Sequence, residues 1–252
     1  MTDRPRTMTT TYTTLTWSGD GCTVTKVRDR APDARRRYRY ELQVNTLLRD
    51  RPPPVPTPRL LGHDVGGRSL TFEAVDGEPL GPKYATELAV DDLDDVLDLV
   101  ERLRPFDPRR RWLRRLDTGR RLALAHRHEL LTAEQTAALQ SLGRAVHRRH
   151  RFCHGDITAR NVLRSEATGE LVLIDWEWAG LYPEGYELAF LWYSLIDVPG
   201  GRDRVEARAS RPEAFLLSAL LVTLWHLCWY LPGPFRGKHL DTKDELVGRM
   251  LA

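Results

Sequence analysis

Apolar and polar positions change period along this chain, and the changes divide it. From Thr11 to Trp17, and again from Cys22 to Val27, β-branched residues alternate around the turn chemistry of Ser18-Gly19-Asp20-Gly21, which predicts a β-hairpin. Between Asp33 and about Leu48 the repeat lengthens. Tyr38, Leu42, Asn45 and Leu48 fall on one side with arginines on the other, a helix that Asp33 is placed to cap. The run Pro52-Pro53-Pro54-Val55-Pro56-Thr57-Pro58 must be extended, because each proline fixes its own φ and biases the residue before it. Arg59 to His63 and Ser69 to Val75, flanking Gly66-Gly67, predict a second hairpin, and Asp76-Gly77-Glu78-Pro79 ends the β-rich stretch.

Beyond that break the pattern is helical for some eighty residues. Asp91 to Arg104 gathers Leu93, Val96, Leu97, Val100 and Leu103 on one face, with Asp91, Asp92, Asp94, Asp95 and Asp98 opposite or flanking. Thr132 with Gln135 forms a capping box for a helix that turns Leu139, Leu142 and Val146 inward and runs to a basic end at His147–Arg151. A further apolar helix is predicted around Tyr186 to Ile196, and Pro212 suits the first turn of a long helix through Leu231. The apolar part of that helix, Phe215 to Leu231, includes Ser218, Thr223 and His226. It is short and polar for a bilayer span of about 20 apolar residues, so it reads as a buried helix of a soluble protein. The expected organisation is a loose tail over residues 1–10, a first unit over 11–76 and a second over 77–252.

Composition narrows the functional classes. The 252 residues suit one sizeable domain or two lobes sharing a cleft. A net charge of +3 falls short of a nucleic-acid-binding signature, so no nucleic-acid partner is expected. Of 38 basic residues only four are lysines, Lys26, Lys83, Lys238 and Lys243. The three cysteines, Cys22, Cys153 and Cys228, are odd in number and lack metal-ligand spacing, which points to a reduced cytoplasmic setting. Met1 to Thr16 has no continuous apolar core, so neither a secretory signal nor a membrane partner is expected.

The chemistry concentrates between residues 154 and 175. His154, Gly155 and Asp156 are followed by Asn161, and then by Asp175 at the end of the apolar run Leu171-Val172-Leu173-Ile174. Phosphoryl transfer needs a carboxylate near the attacking hydroxyl and oxygen ligands that hold magnesium against the nucleotide phosphates. Asp156 is the candidate catalytic base, Asn161 the candidate neutral magnesium ligand and Asp175 the anionic one. Alone, a loop aspartate beside glycine more often bonds its own backbone; the spacing to Asn161 and Asp175 reverses that preference. The strand ending at Asp175 should pair with Val162-Leu163 across a turn at Ser165–Gly169 and set Asn161 and Asp175 side by side. Glu177 is either a support for these ligands or a further metal contact. Lys26, a lysine in a chain that otherwise chooses arginine, lies in a predicted strand and offers a compact charge to nucleotide phosphates.

The H-G-D-x-x-x-x-N then V-L-I-D-W pattern, with glycine where protein kinases carry arginine, resembles the aminoglycoside phosphotransferase and choline kinase family. The resemblance implies an α+β, protein-kinase-like fold of two lobes, a small β-rich N-lobe, here shortened, and a larger helical C-lobe. It implies an ATP-dependent phosphotransferase moving the γ-phosphate to a hydroxyl of a small molecule, an antibiotic or a metabolite, with ATP and Mg2+ as cofactors. It also implies that Glu41 pairs with Lys26, that the backbone of Phe72-Glu73-Ala74-Val75, with Glu73 and Val75 as its candidate residues, receives adenine, and that His154 braces the catalytic loop. The chain departs from the pattern in three places. No G-x-G-x-x-G loop precedes Lys26, where Gly19-Asp20-Gly21 is the nearest candidate; Thr158 stands where protein kinases place a lysine; and Glu187-Leu188-Ala189 replaces D-L-A.

The acceptor is less legible. Glu184, Glu187, Asp197, Asp203 and Glu206 form either a carboxylate wall for a cationic substrate or a set of solvated loop charges, the commoner case. Trp178, Trp192, Tyr193, Trp225, Trp229 and Tyr230 read by default as core. The tract Arg109-Arg110-Arg111, Arg114-Arg115 and Arg120-Arg121 reads as a screened helix face, and His126, His128, His147 and His150 as surface histidines. Two other functions compete: a kinase acting on serine or threonine of a peptide, and a catalytically decayed nucleotide-binding regulatory module.

Overall fold

The computed structural model describes residues 6–9, 13–28, 33–108, 110–229 and 234–252. Thr11 and Tyr12 of the first predicted hairpin, Arg109, Tyr230 and Leu231 lie outside them. The chain divides into two compact units, Met1–Leu80 with Arg160–Trp178, and Gly81–Ala159 with Ala179–Ala252. The sequence placed a single boundary after residue 76; the structure instead returns residues 160–178 to the first unit.

Along the chain the first unit begins with β1 (Thr7–Thr9), β2 (Thr13–Trp17), β3 (Thr23–Arg28), α1 (Ala34–Asp50), β4 (Leu60–Asp64), β5 (Ser69–Glu73) and β6 (Gly77–Pro79). The first five strands form one antiparallel sheet in the order β1-β2-β3-β5-β4. Thr7–Thr9, expected within a loose tail, pair with Thr14–Thr16 as an edge strand, so the lobe expected to be shortened carries one strand more than the two hairpins read from the sequence. Between β2 and β3 the turn closes on itself. Asp20 accepts from Cys22 N at 3.0 Å and Ser18 Oγ accepts from Thr23 N at 3.0 Å, while Gly21 takes the positive φ of +72° that an L side chain resists. It is a tight turn rather than a glycine-rich loop. Asp33 does not cap α1 with its side chain: its backbone is already helical, and its carboxylate accepts instead from Arg37 Nε at 2.6 Å. Tyr38 of α1 packs with Leu60 and Leu70 of the sheet, flanked by Leu42 and Phe72.

The second unit follows with α2 (Val90–Leu103), α3 (Thr118–Arg127), α4 (Ala133–Val146) and β7 (His150–Cys153). The capping box of Thr132 and Gln135 is present at the start of α4. The predicted basic helix end is corrected. His147 closes α4, and His150–Cys153 becomes a strand because its backbone finds a partner strand further on.

The chain then re-enters the first unit as β8 (Val162–Ser165) and β9 (Leu171–Leu173), a hairpin to which β6 adds a third strand. Gly77 is required there, since a Cβ would stand 2.1 Å from the Arg164 carbonyl oxygen. The extended proline run is used as a strut. Pro56 O accepts from Leu173 N at 2.9 Å, and Thr57 Oγ1 accepts from the buried Trp176 indole at 2.6 Å. These bonds are why residues 160–178 belong with the first unit.

The remainder of the second unit is β10 (Gly180–Pro183), which pairs with β7, then α5 (Tyr186–Ser194), α6 (Gly201–Ala207), α7 (Pro212–Trp229) and α8 (Pro234–Leu251). Among the described residues α7 is the one helix long and apolar enough to cross a membrane, and 67% of it is buried within the protein. It is apolar on every side because α3, α4, α5 and α8 surround it.

Candidate active site

A cluster of five charges lies within the first unit. Lys26 and Arg28 are two residues apart in β3, so strand alternation turns both inward, where they are 8% and 4% exposed. Glu41, from α1, is 1% exposed. Lys26 Nζ donates at 2.7 Å to Glu41 Oε1 and at 2.7 Å to Asp175 Oδ1, and stands 3.5 Å from Glu177 Oε2. Arg28 donates to Glu41 Oε2 through Nε at 3.0 Å and Nη2 at 2.6 Å, and pairs with Glu177 as well. Two cations thus hold three carboxylates, which removes most of the cost of burying charge unpaired. Burial alone would pull the Lys26 ammonium down. The carboxylates of Asp175 and Glu41 more than offset it, and its pKa rises above the ordinary value. Sequence analysis missed Arg28, although its two-residue spacing from Lys26 was the available signal.

The β8–β9 register pairs Val162 with Leu173, and Ile174 N donates to Asn161 O at 3.0 Å. Asn161, 5% exposed, is therefore opposite Ile174 and one residue from Asp175 across the hairpin, as predicted. Asp175 adopts φ +63°, a left-handed backbone that Asp and Asn tolerate better than other non-glycine residues. Its side chain remains 35% exposed while one oxygen bonds Lys26. Glu73 is the exposed last residue of β5, its N–H donating to Arg59 O, and the Ala74 N–H is taken by Cys22 O, with the half-buried Val75 next.

The H-G-D loop belongs to the second unit. The backbone N–H groups of His154 and Gly155 donate to the two carboxylate oxygens of Glu187, at 2.6 and 3.1 Å. Asp156 N donates to His154 Nδ1 at 3.3 Å, so the buried imidazole holds the loop from inside. The Asp156 carboxylate is 17% exposed, with Lys83 Nζ 3.6 Å away. Thr158 is buried, and its hydroxyl has no hydrogen-bond partner among the described residues.

Glu187 is the residue whose role the sequence obscured. It is no member of an acidic substrate wall; it is buried, anchoring the loop backbone. Burial drives its pKa up to about 7, against the lowering effect of the two backbone N–H groups. The folded carboxyl thus keeps a proton that the unfolded one, titrating near 4.5, has released. Stability should fall as pH rises through that window, by up to about 1.4 kcal/mol per pH unit. Thermal midpoints measured from pH 5 to 8 should show this slope in the native protein and lose it in Glu187→Gln; equal slopes would remove Glu187 as their source.

Other candidates resolve into structure. Glu184 pairs with Arg211 at 3.2 Å, Asp197 with Lys238 and Glu206 with Arg249. Trp192 and Tyr193 are buried as core, whereas Trp229 is exposed. Arg121 leaves the basic face to lie 4.7 Å over the Trp225 ring. His126 and His128 are exposed as expected. His147 is not a surface histidine: it is 7% exposed, bonded to Ala214 O at 3.1 Å, and burial lowers its pKa to about 4.

Known proteins resemble this chain in a short stretch of sequence and in fold. A stretch of 38 residues is 47% identical to choline kinase B1 of Caenorhabditis elegans, covering 15% of this chain and only 10% of that relative. Choline kinase LicA from Streptococcus pneumoniae matches at a TM-score of 0.67 and 13% identity, over 96% of this chain and 91% of that one. A choline/ethanolamine kinase family protein from Mesorhizobium loti gives 0.68 at 12% identity, over 99% and 88%. The GDP complex of an aminoglycoside 2'-phosphotransferase gives 0.64 at 15% identity, over 99% and 94%. Likeness at such identity shows the fold, an α+β protein-kinase-like one. Residues 9–220 match the phosphotransferase enzyme family as a sequence family, and the chain therefore belongs to it.

Proposed function

We propose that the chain transfers the γ-phosphoryl group of ATP to a hydroxyl of a small molecule, an antibiotic or a metabolite, in the cytoplasm. The observation that carries this reading is the Lys26 ammonium held at 2.7 Å by both Glu41 and Asp175. A lysine fixed by a helix glutamate beside a metal-binding aspartate is the phosphate-handling arrangement of kinases. The donor set also fits magnesium, which takes one or two protein oxygens and fills its remaining positions with phosphate and water. Asn161 and Asp175 would hold it, whereas Glu41 and Glu177 are engaged by Lys26 and Arg28. An ion held by these two residues would supply charge neutralisation to the phosphate oxygens.

The chain's own groups then divide the work. Lys26 puts a point charge on the phosphates, Glu41 keeps it aimed, and Glu177, pinned by Arg28, supports the cluster. The backbone from Glu73 to Val75 receives adenine. Asp156 takes the proton of the acceptor hydroxyl, and His154 with Glu187 keeps its loop in place. The test is a mass-spectrometric search for phosphorylated products after incubation with ATP, Mg2+ and hydroxylated antibiotics and metabolites, alongside calorimetry of ATP binding. A Mg2+-dependent product is expected; a protein that binds no ATP would refute the reading.

A further inference from the structure

We propose that the acceptor is a hydroxylated anion, a small hydroxy acid rather than a polycation, whose acid group meets Lys83 beside Asp156 and whose polar body meets the buried imidazole of His239. The inference rests on Asp156 being the base of the reaction proposed above.

Three observations within the second unit converge. Lys83 Nζ stands 3.6 Å from Asp156 Oδ1 and 6.0 Å from the centre of the Tyr84 ring, so a cation is the charge set beside the reacting carboxylate. From Tyr84 a continuous polar-aromatic wall runs inward. Tyr84 meets Tyr193 edge-on at 6.2 Å and His239 at 6.5 Å, and His239 stacks on Tyr193 at 4.6 Å. His239 is 1% exposed, yet neither ring nitrogen has a hydrogen-bond partner among the described residues, and Nη2 of Arg202 is likewise buried and unpartnered.

Buried polar atoms left unpaired are rare in folded proteins, and each calls for an explanation, here a bound polar group. Burial, and next the charge of Arg202, lower the His239 pKa to about 4, which keeps the ring neutral with one donor and one acceptor. A hydroxyl group, itself donor and acceptor, satisfies both kinds of site. The third observation concerns charge. Four of the five carboxylates that could have faced a polycation are engaged elsewhere, Asp197 by Lys238, Glu184 by Arg211, Glu206 by Arg249 and Glu187 by backbone N–H groups, which leaves the exposed Asp203. With Lys83 and Arg202 contributing positive potential, complementarity selects an anion.

The experiment offers the full chain ATP and Mg2+ with shikimate, quinate or glycerate as anionic acceptors, kanamycin or choline as cationic ones, and inositol as a neutral one. Phosphorylated product is expected from at least one acid. Lys83→Met, a change at a half-exposed position that should fold, is expected to raise the KM for that acid about tenfold or more, as befits a lost charged contact. His239→Phe keeps a ring on Tyr193, removes both nitrogens and should also raise KM. Transfer to kanamycin or choline but to none of the acids would overturn the proposal while leaving the phosphotransfer reading in place. So would an unchanged KM in Lys83→Met, or no transfer to any acid by protein that binds ATP. Failure of the native protein to bind ATP would instead defeat the phosphotransfer reading, and this proposal with it.

Discussion

Asp156→Asn is expected to slow phosphoryl transfer at least about a hundredfold, the lower end of what a positioned general base contributes. The amide has the same shape but cannot take the proton of the attacking hydroxyl. Little else should change. The backbone N–H of residue 156 still donates to His154 Nδ1, and Glu187 still anchors the two residues before it. The carboxylate's ion pair with Lys83 is partly solvated, the lysine side chain being 36% exposed; screened pairs of that kind contribute about 1 kcal/mol or less. Single-turnover kinetics with an identified acceptor, together with calorimetry of Mg2+-ATP binding, separate the two quantities. A variant that turns over at the native rate would take Asp156 out of the mechanism, and a variant that loses ATP binding as well would show that the residue acts on the nucleotide instead.

What the sequence revealed follows the range of the forces involved. The β8–β9 hairpin was readable because an apolar run, a polar turn and a second run specify each other over a dozen residues, and with it came the placement of Asn161 opposite Ile174, one residue from Asp175. Lys26 and Glu41 were legible for a different reason: β3 and α1 follow each other directly, and a family pattern names the pair. The partners that sequence reasoning missed are all distant or hidden by convention. Glu187 lies 33 residues beyond His154, and nothing local distinguishes a glutamate that anchors buried N–H groups from one in water. Lys83 was noted for its rarity, yet its approach to Asp156 spans most of the helical region between them. Arg28 was lost among the many arginines of this chain, whose abundance made any single one uninformative. Edge strand β1 was missed because threonine-rich termini carry almost no hydrophobic alternation, and it is held by backbone pairing with β2 and a hydroxyl contact between Thr9 and Thr14.

Asp175→Asn should raise the Mg2+ concentration needed for nucleotide binding and transfer about a hundredfold or more. Changing residues that merely orient metal ligands costs 10–100-fold in affinity or activity, so loss of an anionic ligand should reach or exceed that range. Asparagine is the informative replacement because it also tolerates the left-handed backbone observed at φ +63°, which alanine would strain. The fold should survive, since Lys26 keeps Glu41 at 2.7 Å and Arg28 keeps both glutamates. What changes is the charge balance. With Asp175 neutral, two cations face two carboxylates instead of three, and the net negative charge that attracts a divalent ion disappears. Mn2+ titration followed by electron paramagnetic resonance, with a non-hydrolysable ATP analogue present, reads metal affinity without relying on turnover. A titration that superimposes on that of the native protein would show that Asp175 is no metal ligand, and that its bond to Lys26 serves the architecture of the first unit alone.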